Sequence, residues 1–88
     1  MDDPDVLPDA EKHGILPLDA QHAYRNPIRV FEMGEGMTMY IGPARDGTVL
    51  EIGAVQADDH PEIDLIVHAM KAREKFLPKT RKPRTRKR

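Results

Sequence analysis

The hydrophobic period of this chain changes at Asn26-Pro27, and that change limits the folds open to it. Before it, Leu16, Ala20, Ala23 and Tyr24 fall on one helical face, while Asp19, His22 and Arg25 lie away from it. A helix is therefore expected over Pro17 to Arg25. The residue before a proline is pushed out of the helical region, so Asn26 ends it. After it the period is two. Ile28 to Glu32 and Met37 to Ile41 alternate around a Met33-Gly34-Glu35-Gly36 turn, and Asp46-Gly47 marks a second turn. Thr48 to Gln56 reads as a third strand. Ala57 to Glu62 is a polar loop, and Ile63 to Met70 a fourth strand.

Upstream, Val6 to His13 reads as a short first helix with Pro8 near its start and Gly14 as its left-handed stop. Downstream, the β-branched run Leu65-Ile66-Val67 gives way at Lys71 to a charged, helix-forming pattern ending near Phe76. The expected fold is α+β: two N-terminal helices packed on a four-stranded antiparallel sheet, then a short C-terminal helix. Residues 1–5 form an acidic flexible start, 6–77 one domain and 78–88 a disordered basic tail.

Charge is strongly segregated. The net charge of -1 conceals 15 acids and seven of the 14 Lys/Arg in residues 1–77, a balance of -8. The other seven cations are Lys79, Arg81, Lys82, Arg84, Arg86, Lys87 and Arg88. With no apolar residues and prolines at 78 and 83, this tail favours extended chain. It can act as a phosphate-contacting arm, as a solubilising tail, or as an arm folded back on the acidic N-terminus.

The absence of Cys excludes disulfides, thiolate zinc sites and thiol nucleophiles. With two Phe, two Tyr and no Trp, packing falls to Leu, Ile, Val and five Met. No apolar run approaches the roughly 20 residues of a membrane span, and the acidic start is the reverse of a signal peptide. A soluble, cytoplasmic protein without membrane association is expected. The four histidines, at 13, 22, 60 and 68, form no close ligand pair, so neither a metal nor a cofactor is expected. His13 reads as a helix-end residue bonding carbonyls and His22 as a solvated one.

Alternation also sorts the sheet faces. If the helices cover Ile28, Val30, Met37, Met39, Ile41, Leu50, Ile52, Ala54, Leu65, Val67 and Ala69, the other face carries Arg29, Phe31, Thr38, Tyr40, Glu51, Ile66 and His68. That face has the composition of a binding surface, although an ordinary solvated face would share the pattern. His68 also lies beside Lys71, Arg73 and Lys75, which marks the end of the last strand as the place for an anionic ligand.

Taken together, Lys12-His13-Gly14-Ile15, Asp19-Ala20, Asn26-Pro27, Tyr40-Ile41-Gly42, Gly47 to Ile52 and Val67 to Arg73 resemble, in order and spacing, the BrnT-like toxins of the RelE/ParE-type fold. The likeness runs from Lys12 to Phe76. It implies a metal-independent ribonuclease toxin of a bacterial type II toxin–antitoxin pair, which arrests growth by cutting RNA and is neutralised by a DNA-binding antitoxin. Such cleavage needs a base, an acid and cations around the phosphate. The catalytic candidates are His68 as acid or base, Glu51 as an alternative base, and Arg73. Lys71, Lys75, Arg45 and Arg29 are candidate substrate-binding cations, and Tyr40 could stack on a base. Two departures stand out. Met70 occupies a position where these toxins usually carry Arg, and the family's aromatic, acidic opening strand is missing. A non-catalytic nucleic-acid-binding or protein-interaction module that keeps the fold is the alternative.

Overall fold

In a computed structural model, residues 4–77 are described. The alternating segments form strands β2 (Arg29–Gly34), β3 (Met37–Pro43), β4 (Val49–Ala57) and β5 (His60–Lys71), preceded by β1 (Asp5–Val6) and helix α1 (Pro17–Arg25). The strand order is β1-β5-β4-β3-β2. Strands β2 to β5 pair as an antiparallel meander, whereas β1 runs parallel to β5, with Asp5 opposite Leu65 and Val6 opposite Ile66.

This corrects the expected architecture. There is one α-helix and a five-stranded mixed sheet, not two N-terminal helices on a four-stranded antiparallel one. Asp5, read as flexible, is in a strand, and the expected first helix is a 3-10 turn at Pro8–Glu11. The Leu7 amide bonds Ile66 O at 2.9 Å, so the chain enters as an extension of the sheet and has too few residues left before Gly14 for a stable α-helix. The expected C-terminal helix is likewise a 3-10 turn, Glu74–Phe76, because β5 continues to Lys71 and Arg73 remains extended. The basic tail lies outside the described residues.

Helix α1 forms where its sequence places it. Pro17 sits in the first turn, where its missing amide costs no hydrogen bond, and the Asn26 side chain donates to His22 O at 2.8 Å at the other end. Its inner face is made of Ala20 and Ala23, both fully buried. These small residues bring the helix so close that a Cβ on Gly42 would collide with the carbonyl oxygen of Ala23 and lie 2.8 Å from that of Asn26.

Gly42 therefore sets the phase of β3. Gly42, Tyr40 and Thr38 turn to the helix, and Met37, Met39 and Ile41 turn away. Sequence alternation gave the reverse assignment, since either set could be buried. In β5 a bulge at Val67, between the Gly53–His68 and Ala54–Ile66 pairs, puts Ile66 and Ala69 both on the helix side. Ile66 is thus in the core and does not share the open face with His68.

The face turned from α1 is covered by the chain that follows β5. The Ala72 amide bonds Val49 O at 3.0 Å, and residues 72–77 cross the sheet until Leu77 O accepts from Arg29 Nη1 at 3.3 Å. Phe76 caps Met39 and Ile41 on the way. Between helix and strap, Leu50 to Ala54 of β4 are buried without interruption.

Replacing Gly42 with Ala is expected to destabilise the fold by about 1–3 kcal/mol, read as a lower urea midpoint with unchanged slope. An unchanged midpoint would show that α1 does not pack this tightly on β3.

Candidate functional site

Glu51 occupies the middle of β4, facing the strap, and none of its surface reaches solvent. An isolated carboxylate there would cost several kcal/mol. It is satisfied from two directions. From the adjacent strand, His68 Nε2 approaches Oε2 at 2.8 Å. From the strap, the Arg73 backbone N–H donates to Oε1 at 2.9 Å, Nε to both oxygens at 3.1 Å, and Nη2 to Oε2 at 2.7 Å.

Burial alone would push the Glu51 carboxyl up. The donors on Arg73 and His68, with the guanidinium charge, outweigh it and hold the group below the usual carboxylate range. Glu51 is therefore ionised near neutral pH and only accepts hydrogen bonds. His68 must present Nε2 as a donor, which in the neutral ring leaves Nδ1 as an unprotonated base. The side chains of His68 and Arg73 are 24% and 48% exposed, so both can meet a ligand that Glu51 cannot.

Cations and aromatic rings extend the site along the strap. Arg29 lies 4.9 Å from the Phe31 ring centre, and Arg73 and Lys75 lie 5.4 and 5.1 Å from that of Phe76. The two phenyl rings are themselves 5.5 Å apart. At the other end, the imidazole of His13 stands 6.1 Å from that of His68 with the planes at 73°.

The structure thus gathers Glu51, His68, Arg73, Lys75 and Arg29 on one face and separates the other candidates from them. Tyr40 faces the helix, its ring 4.7 Å from Tyr24. Lys71 is paired with Leu50, at the exposed end of the helix-side face. Arg45 is held by Asp19 at the start of α1, through its backbone N–H at 3.1 Å and Nε at 2.8 Å. The tail cations Lys79 to Arg88 lie outside the described residues. His13 was not expected in the site, because its position depends on the fold of the entering chain. The Lys12-His13-Gly14 motif was the available signal.

His22, expected to be solvated, has Nδ1 2.8 Å from Pro43 O and helps hold α1 to β3. A groove of about 380 Å³ on the helix side is lined by Glu32, Thr38, Tyr40, Gln56 and Asp64. The Tyr24 hydroxyl donates to Asp64 there, and burial, followed by this bond, pushes the phenol well up. Among the described residues no His/Cys/Asp/Glu group could hold a metal ion, and no helix is long and apolar enough to cross a membrane.

Fold and site together define a small α+β protein in which a buried carboxylate fixes an imidazole and a guanidinium on the sheet face opposite its helix. No family model, curated protein or solved structure matches the chain.

Changing Glu51 to Gln, which keeps the volume and removes the charge, is expected to cost about 1–3 kcal/mol, as charge-assisted bonds are lost. The sign of the pH effect follows from the depressed pKa. The folded state binds fewer protons than the unfolded one, so the stabilisation is complete above the ordinary carboxylate range and is lost as pH falls through the lower, folded value. Denaturation midpoints followed downward from neutral pH should fall less steeply in the variant; parallel curves would contradict an ionised Glu51.

Proposed function

We propose that this protein is a ribonuclease toxin of a type II toxin–antitoxin pair, acting on RNA at the Glu51–His68–Arg73 site. The observation that carries the proposal is the buried carboxylate with two functional groups bound to it. Glu51 fixes the tautomer and direction of His68, and anchors a half-exposed guanidinium beside it.

In this reading His68 Nδ1 accepts the proton of the ribose 2′-hydroxyl. The 2′-oxygen attacks the adjacent phosphorus, and charge on the phosphoryl oxygens is met by Arg73, with Lys75 and Arg29 nearby. The products are a 2′,3′-cyclic phosphate and a 5′-hydroxyl end. Glu51 is a positioning residue here: with no exposed surface it cannot take the substrate proton, so the alternative-base role considered from sequence is not retained. Phe31, half-buried with Arg29 over its ring, offers the stacking surface first sought at Tyr40, while Phe76 behind it is buried. The proposed partners are the RNA substrate and a cognate antitoxin, with DNA contacted through the antitoxin complex or the tail. The proposed location is the cytoplasm.

One observation favours the alternative of a binding module without catalysis. The same Glu51–Arg73 bonds also tie the strap to the sheet, so they would persist in a protein that only binds. Expression of the wild-type chain beside His68→Ala and Arg73→Ala separates the two. Growth arrest with RNA loss is expected in the wild type alone, with purified His68→Ala still folded but slowed about 10²–10⁴-fold. No arrest and intact RNA with folded wild-type protein would reject the ribonuclease reading.

Removing residues 79–88 tests the tail separately. The truncated chain should bind RNA more weakly at low salt, and its log–log salt slope should be shallower by about 0.7 for each phosphate that the tail neutralises. Unchanged affinity at low salt would rule out the phosphate-contacting arm.

A further inference from the structure

Transesterification of RNA needs two proton transfers, and Glu51, His68 and Arg73 supply one group for them. Glu51 is buried and fully used, and a guanidinium does not give up its proton in proteins. An expelled 5′-alkoxide would leave at a high cost unless a second group protonates it.

His13 stands where such a group belongs. The 3-10 turn Pro8–Glu11 is pinned to the sheet by the fully buried Ala10, and the chain then reverses at Gly14, whose φ of +81° suits glycine. The Gly14 amide closes the turn on Glu11 O at 3.0 Å. This places the exposed His13 imidazole beside β5. Its ring is 6.1 Å from that of His68 and steeply inclined to it, so the pair is not stacked. One phosphoryl group lying across both ring edges, off the line between their centres, could be contacted by each ring through a hydrogen bond of roughly 2.6–3.2 Å, at oxygens on its opposite sides. In-line displacement puts the attacking and leaving oxygens on such opposite sides.

We propose that His13 is the general acid of the reaction, protonating the 5′-oxygen while His68 deprotonates the 2′-hydroxyl. The inference rests on the ribonuclease reading of this same site. As the bond from O2′ to phosphorus forms, the bond from phosphorus to O5′ breaks. Its electron pair stays on O5′, which takes the proton from His13, and water later restores both imidazoles. The charged groups around the pair are Asp9, Glu11 and Lys12 on or next to the entering turn, and Glu51 and Arg73 behind His68. The assignment of roles follows Glu51: its bond to Nε2 leaves Nδ1 of neutral His68 as the base, and among the described residues no buried carboxylate fixes His13 in the same way.

A leaving-group experiment on the full chain tests this. Once the cleavage site in an oligoribonucleotide is mapped, the same RNA is prepared with sulfur in place of the bridging 5′-oxygen there, because a thiolate departs without an acid. His13→Ala and His13→Gln should cleave ordinary RNA about 10²–10⁴-fold more slowly yet approach the wild-type rate on the sulfur-bridged RNA. His68→Ala should remain slow on both, and the wild-type bell-shaped pH–rate profile should lose its alkaline limb in the His13 variants. Wild-type rates on ordinary RNA in the His13 variants, or equal losses on both substrates, would overturn the acid role. A wild-type chain that cuts neither RNA would instead remove the ribonuclease reading, and this proposal with it.

Discussion

A carboxylate sealed inside a sheet is the constraint to which the rest of this structure answers. Glu51 has no exposed surface, so the fold must bring donors, and they come from β5 and from the strap. Holding Arg73 there, by its backbone N–H as well as its guanidinium, fixes the path of the chain beyond β5. Phe76 can then reach Met39 and Ile41, and Leu77 can receive Arg29. The interaction that makes the charge tolerable thus also closes the second half of the core.

The two faces of the sheet are consequently built by different means. On the helix side, Ala20, Ala23 and Gly42 allow backbone to approach backbone, leaving little room for a ligand beneath α1. On the other side a six-residue strap replaces a helix and covers only part of the sheet. Imidazole, guanidinium and ammonium groups remain at its margins, with Arg29, Arg73 and Lys75 set over the Phe31 and Phe76 rings. The partial cover on that side leaves the His68 and Arg73 side chains within reach of solvent.

Sequence patterning revealed the parts whose rules are local. The limits of α1 follow from Pro17 and Asn26-Pro27, and the β2–β3 turn follows from Gly34-Glu35-Gly36, where Glu35 and both glycines take positive φ. Glu51 and His68 were placed on one face because their strands are consecutive in a meander. Non-local facts were hidden. Two residues of β1 carry no period of their own, and their partner lies about sixty residues away along the chain. The phase of β3 depends on how closely a separate helix approaches Gly42, and the bulge at Val67 breaks the alternation that had joined Ile66 to His68. The C-terminal pattern was helix-forming, but a single short segment from Lys71 to Phe76 gives few helical bonds, whereas the extended path buries Phe76 and satisfies Glu51. Burial and charge compensation outweighed propensity there.

The departure at Met70 looks different once these positions are known. Met70 lies directly opposite Glu51 in the β4–β5 ladder, so an arginine at that position, as the resemblance would have it, would face the same carboxylate. Arg73, three residues further on, would need a helix to project from the same side as Met70. The structure reaches a similar placement without one: the strand ends at Lys71, the chain stays extended through Arg73, and the guanidinium turns back onto Glu51. The displaced Arg73 can therefore provide the charge that a single in-strand arginine would. Because Arg73 arrives on the strap, its position depends on Phe76 staying buried, which ties the electrostatics of the site to the packing of the second face.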